Sequence, residues 1–322
     1  MKRRLAWLAG LLIAAASASA STLTPARAGS WAEGTPMTTA RAQGGAAVID
    51  EEIFVVGGAG PTEPRSQVEA YNTIGDIWRS VGAMPAGVQQ FGSAAIDGKL
   101  FVSGGYGKNL SEGASASLWI FDPLVGVWVE GAAMPGPRAG HRMAMVGGKL
   151  YVIGGAGARN GEVWAYDPDL DKWSVAPGAM PRARTDIAVA ALGAKLYVVG
   201  GAARQGATQA VDIYDTGTGR WSAGPSLPKA RRGHAAVMLN GRLHVVGGQA
   251  LGEPKTFAEH FVLNLTSGKW STAAPMPTPR HGAAAAAVRG KLYIIGGGTG
   301  AGVYTVFTES DLTEIYTPDR NE

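Results

Sequence analysis

The chain has 322 residues, with 29 Lys and Arg against 25 Asp and Glu, 48 glycines, nine tryptophans and no cysteine. Without cysteine there is no thiolate catalysis, no cysteine-ligated metal, no disulfide staple and no lipobox. Three of the basic residues fall in the first twenty positions, which leaves 26 basic against 25 acidic, or +1, and gives nucleic acid no electrostatic footprint.

Lys2, Arg3 and Arg4 precede an apolar run from Leu5 to Ala16 and the small-residue stretch Ala18-Ser19-Ala20. This order is that of a signal peptide, and the run is shorter than the ~20 apolar residues of a membrane span. Residues 1–20 are therefore expected to be cleaved, after Ala20 or at the alternative site Ala26-Arg27-Ala28, and residues 21–29 to form a flexible mature N-terminus. The product is expected to be periplasmic or secreted, with no stable membrane span.

From there an apolar strand ending in two glycines recurs six times, at Gly57-Gly58, Gly104-Gly105, Gly154-Gly155, Gly200-Gly201, Gly247-Gly248 and Gly296-Gly297. The spacings are 47, 50, 46, 47 and 49 residues. Tyr71, Phe121, Tyr166, Tyr214 and Leu263 each precede a tryptophan by seven residues (Trp78, Trp128, Trp173, Trp221, Trp270), across a turn-forming stretch such as Asp167-Pro168-Asp169. Each unit thus supplies four short strands, A to D from the inside outward. One such sheet cannot bury both faces alone, but six arranged radially can. The expected fold is all-β: a single six-bladed β-propeller over residues 30–318, with a tail at 319–322.

The sixth unit reaches Tyr316 without a following tryptophan strand, while Trp31 stands upstream of the first unit. The Trp31 strand is expected to complete the blade of Tyr316, so that the ring closes and no edge is left unpaired. The periodic Tyr and Trp read as wedges between blades. An arginine before strand A recurs at Arg41, Arg138, Arg184, Arg231 and Arg280, with Val88 in its place in the second unit. A buried arginine needs acceptors, and Glu69, Asp212 and Glu314, two residues before the C-strand aromatic, are the expected partners. His141 and His234 read as scaffold histidines, and His244, in a place otherwise held by Phe or Tyr, as a packing residue.

The paired glycines, the spaced Tyr and Trp and the arginine before strand A resemble the kelch-repeat family from Trp31 to Tyr316. The resemblance implies a propeller whose function varies among protein-binding modules, sugar-active enzymes and oxidases. The kelch copper radical oxidases are excluded here, because their tyrosine is joined to a cysteine. The six-unit exported arrangement is also similar to that of bacterial sialic-acid epimerases.

Function should sit where the units differ, just before strand A and in the loops after the glycine pairs. The expected ligand-binding residues are Gln43, Gln89, Gln90, Arg142 and Arg232 from the first region, and Tyr106 and Lys108 from the second, since amide and guanidinium groups suit carboxylates and sugar hydroxyls. Asp186, His281 and Glu309 are the candidate catalytic groups, the last within an insertion from Gly298 to Ser310 that also holds Tyr304. The chain is expected to be a monomeric binding module that recognises a protein or a carbohydrate at the channel mouth. A periplasmic acidic-sugar epimerase or mutarotase is the alternative. The histidines show no metal-ligand spacing, and neither a metal nor a cofactor is expected.

Overall fold

The computed structural model describes residues 24–25, 29–157, 159–250, 252–253, 255–301 and 308–319; the expected signal peptide and Tyr304 lie outside them. The described residues form six radial sheets of four main antiparallel strands each. In blade 1 the strands are Gly45–Ile49, Glu52–Val56, Gln67–Asn72 and Ile77–Ala83. Blades 2 to 5 repeat this order along the chain. Blade 6 takes Ala284–Val288, Lys291–Ile295 and Thr313–Thr317 from the last unit and its outer strand, Ser30–Gly34, from upstream of the first. Trp31 lies directly opposite Tyr316 in that pairing. Within the stretch expected to be flexible, Thr24–Pro25 pairs in parallel with the outer strand of blade 5.

Packing follows the repeat. Small inner residues such as Ala47, Ala94, Ala190 and Ala286 are buried where the blades crowd the axis, and the aromatic pairs fill the wider outer gaps. Tyr71 meets Trp78 at 4.9 Å, Tyr166 meets Trp173 at 5.0 Å and Trp31 meets Tyr316 at 5.3 Å between ring centroids. Five of the D-strand indoles also donate to a carbonyl of the preceding blade's exit: Trp78 to Thr35 (2.8 Å), Trp173 to Ala132 (2.7 Å), Trp221 to Gly178 (3.0 Å), Trp270 to Pro225 (3.1 Å) and Trp31 to Ala274 (2.8 Å). Trp128 has no such partner among the described residues.

The recurring arginines are scaffold. Arg41 pairs with Glu69, Arg184 with Asp212 at 2.5 Å and Arg280 with Glu314 at 2.6 Å, all deeply buried. In blades 3 and 5 an aromatic ring stands in the acid's place: Arg138 lies 3.5 Å from the Trp164 centroid and Arg231 4.6 Å from that of Phe261. The guanidiniums also bond the carbonyl of the first glycine of the pair, as Arg41 does to Gly57 (3.2 Å), Arg231 to Gly247 (2.8 Å) and Arg280 to Gly296 (3.0 Å).

Four histidines are buried in this frame. His141 Nε2 bonds Ser103 Oγ at 2.9 Å, and His244 Nδ1 meets His260 Nε2 at 2.9 Å beside Tyr316. Burial holds His244 down to about 4, with Arg242 adding to the shift. Burial likewise holds His260 and His234 well below the ordinary value. These rings are neutral when folded and take up protons on unfolding, so their contribution is intact above the unfolded pKa of about 6.5 and is lost as pH falls toward about 4. The melting temperature should therefore decline over that window. The variant His244→Tyr with His260→Val, which restores the residue types of the other blades, should decline less; an equal decline in both proteins would count against the pair.

Candidate functional site

Each unit enters strand A through a residue placed two after the scaffold arginine or Val88. These six residues, Gln43, Gln90, Gly140, Asp186, Gly233 and Gly282, all have φ between 52° and 66°. That left-handed conformation favours glycine, so a Gln or an Asp there carries strain that the surrounding structure must hold. The reason for the conformation is a closed ring of backbone hydrogen bonds around the channel. Gln43 N donates to Gly282 O (2.6 Å), Gln90 N to Gln43 O (3.1 Å), Gly140 N to Gln90 O (2.6 Å), Asp186 N to Gly140 O (3.0 Å), Gly233 N to Asp186 O (2.9 Å) and Gly282 N to Gly233 O (2.7 Å). Every blade is linked to the next at its innermost point.

This ring frames a cavity of about 150 Å³. The side chains on it are Gln43, Gln90, Arg142, Asp186, Arg232, Gln249 and His281. Arg142 is the one large residue at its level: the residues equivalent to it in strand register are Gly45, Gly92, Ala188, Ala235 and Ala284. Their small size leaves room for its side chain, which also borders a second cavity of about 130 Å³ among the inner strands. Arg142 donates to the His141 carbonyl at 3.0 Å. Burial pulls its pKa down, and Asp186 opposes that shift.

Asp186 is shared across blades, accepting from Arg232 at 3.3 Å. His281 Nδ1 lies 2.9 Å from the Gly298 carbonyl; a carbonyl only accepts, so Nδ1 carries the proton and Nε2 is the acceptor nitrogen. Burial is the main cause that lowers the His281 pKa, so the ring is neutral near pH 7. Gln43 Oε1 and Arg232 Nε are buried without a protein partner among the described residues. Two guanidiniums thus face one carboxylate, and the cavity keeps an excess of positive charge.

Six of the expected residues meet here: Gln43, Gln90, Arg142, Asp186, Arg232 and His281. Four do not. The backbone of Gln89 pairs with that of Tyr106, and neither residue lines the cavity. Lys108 is exposed and held by Glu63 at 2.8 Å, and Glu309 pairs through its backbone with Gly298. Gln249 was missed. It directly follows a glycine pair where the other units have Ala59, Tyr106, Ala156, Ala202 and Gly298, and comparison down that column would have found it. Among the described residues no cluster of His, Asp and Glu could hold a metal ion, and no helix is long and apolar enough to cross a membrane.

The profile of the KLHDC2/KLHL20/DRC7 Kelch-repeats domain matches residues 29–177 and again 129–297. Among solved structures, that of YjhT superposes with a TM-score of 0.76 at 23% identity, covering 89% of this chain and 97% of that one, a likeness of fold. No curated protein sequence matches. With the repeat, the ring closure and the profile in agreement across the described blades, the chain belongs to the kelch-repeat family of β-propellers.

Proposed function

We infer that the chain is an exported binding propeller whose channel mouth takes a small hydroxylated anion, such as an acidic sugar. The observation that carries this reading is the convergence of Arg142, Arg232, Asp186, His281 and the glutamines on one cavity of about 150 Å³. Its excess positive charge favours a carboxylate, which guanidinium groups bind with directed, charge-assisted hydrogen bonds. The unpartnered Gln43 Oε1 and Arg232 Nε are an acceptor and a donor that ligand hydroxyls would satisfy. A protein partner needs a broad contact of roughly 800 Å² per side, whereas these groups sit in a recess. The order of basic, apolar and small residues over positions 1–20 supports export.

Titration calorimetry with matched neutral and carboxylate-bearing monosaccharides tests the reading. The acidic sugars should bind selectively, and Arg142→Met should weaken them about tenfold or more, the loss of one charge-assisted hydrogen bond. Equal binding of neutral and acidic sugars, or an unchanged affinity in the variant, would sink it.

One observation favours a second reading, in which the bound sugar also reacts. Asp186 and the acceptor nitrogen of a neutral His281 belong to the same cavity. In a mutarotation a base takes the anomeric hydroxyl proton while an acid protonates the ring oxygen. The ring C–O bond breaks to give the open carbonyl form, which closes on the other face. The same preparation mixed with an isolated anomer and followed by NMR decides: a rate equal to that in buffer leaves only the binding role.

A further inference from the structure

Blade 2 lacks the buried arginine of the other five, and a cavity lies beside the residue that replaces it. Where they carry a buried arginine, blade 2 carries Val88. Two residues before its C-strand aromatic stands Trp119, which pairs with Val102 just as Trp164 pairs with Val152 in blade 3. In blade 3 that indole is covered by the Arg138 guanidinium, 3.5 Å from the ring centroid. Among the described residues of blade 2 none places a cation over Trp119. A cavity of about 380 Å³ lies there instead, bordered by Val88, Gly104, Ser117 and Trp119, and closed on one side by the loop that carries Glu112.

The acceptors that the arginines use elsewhere are still present. The carbonyls of Gly57, Gly200, Gly247 and Gly296 each take a guanidinium hydrogen bond. The equivalent Gly104 carbonyl receives none from any described residue. The carbonyls of Gln67, Glu259 and Leu312 accept from both a glycine N–H and an arginine. Among the described residues Ser117, in the same place, accepts only from Gly104 N, at 2.9 Å. Among the described residues no Lys or Arg borders the cavity, while Glu112 does. None of these residues lines the channel-mouth cavity, so the site is independent of the function proposed above.

We propose that the cavity between Val88 and Trp119 is a binding site for a guanidinium group brought by a ligand, which stacks on the Trp119 indole and donates to the Gly104 and Ser117 carbonyls. The ligand combines contacts that the chain itself makes elsewhere, the indole stack of blade 3 and the glycine-carbonyl bond of blades 1, 4, 5 and 6. Guanidinium fits better than ammonium because its planar fork can stack on an indole and donate in its own plane at once.

Two sources of the group are separated by the probe: agmatine represents a free small molecule, and an acetylated and amidated Gly-Arg-Gly peptide represents an arginine in a protein. Binding is followed by indole fluorescence and by chemical-shift changes of the Trp119 Nε1 proton. Agmatine or the peptide should saturate in the millimolar range or tighter, and an alkylamine of the same length should bind about tenfold more weakly. Whichever of the two probes binds tighter names the source. Trp119→Leu should lose the preference for guanidinium over ammonium. Val88→Arg should abolish binding while keeping or raising the melting temperature, because it restores the residue type of the other blades. The proposal is overturned if neither guanidinium probe saturates, if the alkylamine binds equally well, or if folded Val88→Arg binds as the parent does.

Discussion

Arg280→Met should destabilise the protein by about 3–5 kcal/mol in urea unfolding, the cost of leaving a buried charge without its partner. Arg280 is 1% exposed and Glu314 4%, so water cannot replace the lost cation. Glu314 would keep one hydrogen bond, from Thr278 N at 3.0 Å, but lose the 2.6 Å contact with Arg280. The carbonyls of Gly296 and Leu312 would also lose a donor. Adding Glu314→Leu should recover much of the loss, since a buried ion pair is often matched by apolar residues of similar volume. Blade 2, which lives with Val88, shows that one unit can do without the arginine when no acid faces it. A single-variant cost below about 1 kcal/mol would mean that Glu314 reaches water or takes up a proton.

Trp31→Ala should cost up to about 3 kcal/mol, near the lower end for removing a large aromatic because the indole is only half buried. Trp31 joins three things: its strand closes blade 6 against Tyr316, its ring meets His260 at 5.9 Å and its N–H bonds Ala274 of blade 5. Trp128→Ala is the matched control. Trp128 makes the same kind of stack, 4.9 Å from Phe121, but its N–H has no partner among the described residues, so its loss should be milder by about 1 kcal/mol, the net worth of a hydrogen bond. Chemical unfolding of the two variants side by side measures the difference. Equal costs would mean that the indole hydrogen bond adds nothing to closure.

The ring was legible because its determinants are periodic. Glycine pairs, aromatic wedges and arginines at one spacing leave few architectures, and the unmatched Trp31 and Tyr316 identified each other. The acid partners of three arginines could be read for the same reason. The use of Trp164 and Phe261 by the other two could not, because an aromatic in that place reads equally well as packing. At the channel mouth, departures from the repeat located six residues of the cavity. Columns fix the level of a residue along the channel but not its reach. Gln89, Arg232 and His281 share one column, yet Gln89 stands opposite Tyr106, while Arg232 faces Gln249 and His281 faces Gly298. Arg232 and His281 line the mouth and Gln89 does not, a tertiary difference that the column does not carry. Lys108 shows the same limit: its loop borders the recess beside Val88 and Trp119, and Lys108 is not among the residues that line the channel mouth.

The hydrogen-bonded ring at the mouth has a chemical consequence. All six of its N–H groups point along the circle to the neighbouring blade, so the main chain there has no donor to offer a guest. Many anion sites rely on backbone N–H groups aimed at the ligand; this frame has committed its own to holding the blades together. Selectivity is therefore left to a handful of side chains, three of which (Gln43, Gln90 and Asp186) the ring holds in the left-handed conformation. Three of the six ring positions are bare glycines. A propeller of this design can change its guest at the residues beside the ring, such as Arg142, Arg232, Gln249 and His281, without a new loop and without touching the joints that keep it closed.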